Sequence, residues 1–218
     1  KKVAFCTLGC KVNQYETNAM EKNFITLGYK IVNFEEKADI YVINTCTVTN
    51  MSDKKSRQML RKAKQLNSDA IVVAVGCYAQ VSKEELEKIE EVDLILGNNE
   101  KKDIVKYVEE FQKEKLIHLE DVLHQKEFID FGTTLNFEKT RAVIKVQDGC
   151  DRFCSYCIIP YARGRVRSRK LESIIQEVKS LAQKEVKEII LTGIHIASYG
   201  KDFKEDIFYG KKIEIIPL

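Results

Sequence analysis

The chain has 218 residues, 44% of them hydrophobic and 32% charged, and its formal net charge is +3. That is enough apolar material for one large or two ordinary packed domains, and it excludes a disordered tail. The longest apolar segment, Ala70 to Ala79, falls far short of the roughly 20 residues of a membrane span. The short apolar run after Lys1 and Lys2 meets Lys11 with no small-residue cleavage site, so it is not expected to be a signal peptide, and a soluble, cytoplasmic protein with no membrane partner is expected.

In chain order, Lys2 to Leu8 is an apolar run ended by Gly9, and Asn13 to Thr26 carries Ala19, Met20, Phe24 and Ile25 at helical spacing up to Leu27 and Gly28. The alternation repeats. Tyr29 to Phe34 and Ile40 to Ile43 read as strands, Asp53 to Leu66 as a Lys/Arg-rich helix, and Ala70 to Val75 as a buried strand. Ser82 to Ile89 reads as a helix opened by a Ser82/Glu85 capping box, Val92 to Leu96 as a fifth strand, and Lys102 to Phe111 as a closing helix. Strands of near-continuous Val and Ile alternating with helices predict an α/β domain over residues 1–112, a doubly wound parallel sheet covered on both faces.

Seven cysteines without a secretion signal point to a reducing compartment, where thiols serve metals or catalysis. Cys10, Cys46 and Cys77 each fall just past a strand. Carboxyl ends of strands in an open parallel sheet border one crevice, so these residues are expected to converge there as metal ligands rather than lie as scattered thiols. Three thiolates are one short of the usual four ligands, which suggests a [4Fe–4S] cluster with an open iron. Cys6 lies within the first strand and reads as a small buried hydrophobe. Asn13, Gln14, Asn44 and Thr45 flank the ligands, either lining the crevice or serving turns and caps.

Residues 113–138 show no clear period and read as a linker with an edge strand near Leu116 to Leu119; His118 and His124 read as surface residues. A new unit over 139–218 begins with a strand, Thr140 to Val146. The loop that follows holds Cys150, Cys154 and Cys157 in a C-x3-C-x2-C spacing, again three soft ligands wanting a fourth. An iron–sulfur cube with one free iron fits this better than a zinc knuckle. Residues 139–170 carry nine Lys or Arg against two acids, +7, leaving −4 for the rest of the chain. Arg163, Arg165, Arg167 and Arg169 recur with period two, so an extended segment would point all four one way, as phosphate contacts require. Helix Ser173 to Gln183 and strand Glu188 to Leu191 then read as the start of a β/α barrel, whose active groups sit at the carboxyl ends of strands.

Taken together, TLGCKVNQYE (Thr7 to Glu16), NTCTVT (Asn44 to Thr49), GCYAQ (Gly76 to Gln80), GCDRFCSYCIIPYARGRVRSR (Gly149 to Arg169) and LTGIHIASYG (Leu191 to Gly200) resemble the radical S-adenosylmethionine (SAM) methylthiotransferases. The resemblance covers the first residue to about Lys204 and is greatest to the MtaB type, which forms the 2-methylthio derivative of N6-threonylcarbamoyladenosine at tRNA position 37. It implies that Cys150, Cys154 and Cys157 hold the cluster that cleaves SAM, and that Cys10, Cys46 and Cys77 hold a second [4Fe–4S] cluster concerned with sulfur. It further implies Tyr156 beside the SAM adenine, Thr192 and Gly193 at its methionine end, and, as partners, the tRNA anticodon loop at A37, a reductant such as flavodoxin or ferredoxin, and a sulfur donor. Members of the family continue through a full barrel into an RNA-binding TRAM domain, so the partial radical-SAM unit here is expected to be truncated, and Phe208 to Leu218 match no family segment. A non-enzymatic iron–sulfur protein, an inactive fragment of the enzyme, and a zinc-dependent RNA-binding module are the competing expectations.

Overall fold

The computed structural model describes residues 1–112, 114–132 and 140–203. The chain opens with β1 (Lys2–Thr7), α1 (Lys11–Thr26), β2 (Lys30–Val32), β3 (Ile40–Thr45) and α2 (Asn50–Leu66). It continues with β4 (Ile71–Gly76), two short helices α3 (Cys77–Val81) and α4 (Lys83–Glu87), β5 (Leu94–Leu96), α5 (Ile104–Glu109) and β6 (Leu116–His118). The six strands form one sheet in the order β2-β1-β3-β4-β5-β6, every pair parallel.

Alternate residues of a strand point to opposite faces, and the core divides accordingly. Tyr41 and Ile43 of β3 and Val72 and Ala74 of β4 pack with Leu60 and Ala63 of α2 and Leu86 of α4. Ile40, Val42, Val73 and Val75 pack on the other face with Met20 and Phe24 of α1 and with Ile104, Val105 and Val108 of α5. Burial on both faces is why β3 and β4 read as continuous apolar runs.

The edge strand expected near Leu116 to Leu119 is present as β6, whose backbone completes the edge beside β5 (Leu94↔Leu116 to Leu96↔His118), so the sheet runs past residue 112. One expectation changes. Ser82 makes no side-chain cap, because Glu85 is drawn instead to the Tyr78 hydroxyl at 2.6 Å and to Arg57 at 3.1 Å.

The second unit comprises β7 (Arg141–Asp148), α6 (Ile159–Arg163), β8 (Arg167–Ser168), α7 (Leu171–Gln183) and β9 (Glu188–Gly193). β7 pairs in parallel with β9 and antiparallel with β8. Ala142, Ile144 and Val146 pack on Ile174 and Leu181 of α7, giving the first βα units of an incomplete barrel. Among the described residues β9 pairs with β7 alone. The tail expected to be unmatched, Phe208 to Leu218, lies outside the described residues, as does Lys204.

Candidate metal centre

The strand order sets β1, β3 and β4 side by side, so the three cysteines that follow them emerge at one edge of the sheet. Adjacent strands lie about 4.8 Å apart, so the strand ends that precede the three cysteines are neighbours. The connecting loops are tied together by side chains. Asn13 donates to Leu8 O at 2.7 Å and to Thr45 O at 3.1 Å, Asn44 donates to Asn13 O at 2.9 Å, and the Thr45 hydroxyl donates to Val75 O at 2.6 Å. These residues therefore brace the crevice, whereas Gln14 is exposed and its side-chain amide donates to Asn18 Oδ1 at 3.0 Å. A β-carbon on Gly9, whose φ is +99°, would stand 2.9 Å from Cys46 Sγ, so the backbone leading to Cys10 closes directly on that sulfur. Cys46 and Cys77 are buried, Cys10 is exposed, and Cys6 is half-buried in β1 with its thiol pushed up by burial. All seven are free thiols. Among the described residues, no three metal-ligating side chains are gathered closely enough for one ion; three soft sulfur donors spread over neighbouring strands suit a polynuclear cluster.

The second triad follows β7. Gly149 has φ +71°, and a β-carbon there would stand 1.8 Å from Arg165 O, so only glycine lets the loop start this close to the segment that closes it. Cys150 N donates to Gly164 O at 3.0 Å, and Cys157 N to Cys154 O at 2.9 Å. Cys154 is exposed while Cys150 and Cys157 are half-buried. Thr192 and Gly193 end β9, in register with Lys145 and Gln147. Gln147, which the motifs did not single out, is fully buried and joins the two loops. It donates to Asp148 O and Gly149 O, each at 2.7 Å, and accepts from His195 N at 2.7 Å. Tyr156 is 91% exposed, so the structure brings Gly193 to the base of the cysteine loop but leaves Tyr156 pointing to solvent.

The arginine row needs correction. Only Arg165 is exposed, 3.7 Å from Asp151. Arg163, Arg167 and Arg169 are almost wholly buried, and the row is not one extended segment: Arg163 ends a helix and Gly164 turns the chain at φ +77° before β8. Arg169 pairs with Glu177 and, at 2.9 Å, with Asp130. Arg167 donates to Arg163 O at 2.7 Å and stands 3.6 Å from Asp148. Three of the four cations expected to face phosphates are thus engaged inside the protein.

Arg163 belongs to a buried charge network linking the two units. Glu16 of α1 accepts from Arg163, from Lys101 at 2.5 Å and from Lys145 of β7 at 2.7 Å. Asp148 takes Lys145 at 2.6 Å and Arg163 at 3.5 Å. Burial works against the carboxylate charge of Glu16, but Arg163, Lys101 and Lys145 outweigh it and hold its pKa well below the usual range. Burial likewise opposes the Asp148 charge, and Lys145, Arg163 and Arg167 bring its pKa down to about 2. Burial lowers the pKa of Lys101, only partly offset by Glu16. For Arg163 burial is outweighed by Cys77, Glu16 and Asp148, which hold it well above its ordinary value. Glu16 was legible in principle: it shares the buried face of α1 with Val12, Ala19 and Met20, and a carboxylate on an apolar stripe demands a cation.

Residues 2–97 match the uncharacterized protein family UPF0004, and residues 144–218 match the radical SAM superfamily, a match that takes in Phe208 to Leu218, which were expected to match no family segment. The threonylcarbamoyladenosine tRNA methylthiotransferase MtaB of Aquifex aeolicus is 51% identical over 92% of this chain and 50% of its own length. The Bacillus subtilis protein of the same name is 43% identical over 93% of the chain and 46% of itself. The ribosomal protein uS12 methylthiotransferase RimO of Desulfitobacterium hafniense is 39% identical over 93% and 46%. The chain spans about half the length of these curated relatives.

Proposed function

Because this chain belongs to the radical-SAM methylthiotransferase family, we propose that it is the cluster-bearing part of a tRNA methylthiotransferase acting on C2 of N6-threonylcarbamoyladenosine at position 37. The packing of α6 on α3 carries this reading: Arg163, at the end of the helix that follows the Cys150 loop, reaches to 3.2 Å from Cys77 Sγ. This contact sets the helix after one triad against a cysteine of the other, which supports a single reaction space for both.

In this proposal Cys150, Cys154 and Cys157 hold one [4Fe–4S] cluster, and Cys10, Cys46 and Cys77 hold another. When bound, the first cluster with SAM supplies the radical that an unreactive aromatic C–H demands. Tyr156, Thr192 and Gly193 contact SAM, with Gln147 holding the β9 loop against the start of the cysteine loop. The domains proposed at residues 1–112 and 139–218 are refined by β6 (Leu116–His118), which belongs with the first sheet; after it, Gly132 O accepts from the Tyr15 hydroxyl of the first unit at 3.2 Å and Asp130 pairs with Arg169 of the second at 2.9 Å. A reductant such as flavodoxin or ferredoxin and a sulfur donor complete the system in the cytoplasm.

An RNA substrate suits the exposed rim of the cysteine loop. Arg165 lies 5.3 Å over the Phe153 ring, and Phe153 meets Tyr161 edge-on at 6.0 Å; all three are exposed. A cation beside free aromatic faces is the chemistry that grips unstacked bases of a loop. The relative named for uS12 keeps a protein substrate as the second reading. Expression of the full-length protein bearing these residues in a bacterium lacking the modification separates the two. The 2-methylthio nucleoside should appear in digested tRNA; unmodified tRNA with methylthiolated uS12 would reverse the assignment.

A further inference from the structure

Arg163 spends every nitrogen of its guanidinium inside the protein. Nη1 and Nη2 hold the two oxygens of Glu16, Nη2 also bonds Asn13 Oδ1, and Nε lies 3.2 Å from Cys77 Sγ. Glu16 and Asn13 both sit on α1, the helix that begins directly after Cys10. A planar fork gripped on one side by a carboxylate and an amide has its remaining N–H direction fixed, and here that direction is the sulfur. Asn98 Nδ2 lies farther out, 3.9 Å from the same sulfur, and bonds Ala162 O at 2.7 Å, so the helix carrying Arg163 is itself pinned beside Cys77.

Charge adds an independent observation. Lys101, Lys145, Arg163 and Arg167 are buried in this network, and among the described residues its ion pairs use only the carboxylates of Glu16 and Asp148. Buried cations are retained only where something anionic compensates them. The network adjoins Cys77, so the missing negative charge is expected at the sulfur centre.

We propose that Arg163 is a positioning residue for the centre held by Cys10, Cys46 and Cys77, a charge-assisted N–H donor to the Cys77 sulfur. It is delivered from the unit that carries the other triad. The bond orients this ligand and stabilises negative charge on the centre. Reduction adds such charge, so the donor raises the reduction potential. The proposal rests on the reading that these three cysteines hold a [4Fe–4S] cluster.

The test uses the full chain with Cys150, Cys154 and Cys157 changed to Ala, reconstituted anaerobically with iron and sulfide so that one cluster remains, and titrated reductively under EPR. Arg163→Met leaves Glu16 paired with Lys101 and Lys145 and removes the sulfur contact. The variant is expected to bind the same iron as its parent but to show a more negative potential. An unchanged potential at full iron content would overturn the proposal, whereas a parent chain that binds no iron would overturn the cluster reading beneath it. A variant that fails to fold is bypassed by labelling the parent with 15N-arginine. The reduced cluster should then show a hyperfine coupling to an arginine nitrogen, and its absence would equally count against Arg163.

Discussion

Replacing Glu16 by Gln keeps the shape of the side chain and removes one charge from the middle of the buried network. Glu16 oxygens take Arg163, Lys101 and Lys145, and Lys101 has no other ion pair among the described residues. Removing one partner of a buried pair costs about 3–5 kcal/mol, because it leaves a buried charge uncompensated. An exposed pair would cost under about 1 kcal/mol, so the magnitude itself reports burial. Against a total stability of about 5–15 kcal/mol the loss is large. At about 2–4 °C per kcal/mol for a chain of this size, the unfolding midpoint should fall by roughly 10 °C.

The pH dependence has a definite sign. The folded pKa of Glu16 lies well below its ordinary 4.5, so on acidification the unfolded chain takes up the proton first. The stabilisation is complete above pH 4.5 and is lost as pH falls through the folded value. Glu16→Gln lacks it throughout, so the gap between the two proteins should be full at pH 7 and shrink below pH 4.5. Asp148, at about 2 against an ordinary 3.8, loses its contribution at still lower pH in both. Denaturant unfolding of the metal-free proteins, followed by circular dichroism from pH 7 to pH 3, measures the gap. A variant within about 1 kcal/mol of the parent at pH 7, or a gap independent of pH, would refute the reasoning.

Arg165→Gln should weaken tRNA binding and reduce the salt slope by about one counterion. Arg169→Gln should leave the slope unchanged and lower stability, since it breaks the pairs to Glu177 and Asp130; equal slope changes in both would restore the row of phosphate contacts. Gly149→Ala should deplete iron from the Cys150 triad while sparing the other, because a β-carbon there meets Arg165 O at 1.8 Å; iron analysis in a Cys10/Cys46/Cys77→Ala background checks it. In native-state hydrogen exchange, amides of β3 and β4 should be the slowest and those of β9 much faster, since β9 pairs only with β7 among the described residues; uniform protection would contradict an open edge there.

The sheet was legible where residues are buried on both faces. β3 and β4 read as strands because Val and Ile fill positions facing both helix layers, and their positions then brought Cys46 and Cys77 to one edge. What escaped reading depended on partners distant in sequence. The period-two arginines looked like one exposed row, but the carboxylates that claim them, Glu16, Asp130, Asp148 and Glu177, come from α1, the segment after β6, β7 and α7. The short strand β6 has only three residues, too few to show a period; an edge strand was expected there, but not that it would join the first sheet beside β5. The capping box failed for a similar reason: Glu85 had better partners in Arg57 and Tyr78 than its own helix terminus.

The central proposal is that each cysteine triad holds its own cluster. Iron and acid-labile sulfide should be counted after anaerobic reconstitution, on the parent chain and on each triple Cys→Ala variant, together with binding of SAM. The parent should hold about eight irons and eight sulfides, as two four-iron clusters require. Each triple variant should hold about half, with SAM binding lost only when Cys150, Cys154 and Cys157 are changed, and Cys6→Ala should hold the full amount. A parent with about four irons, zinc in place of iron and sulfide, or iron lost equally on changing Cys6 would contradict it.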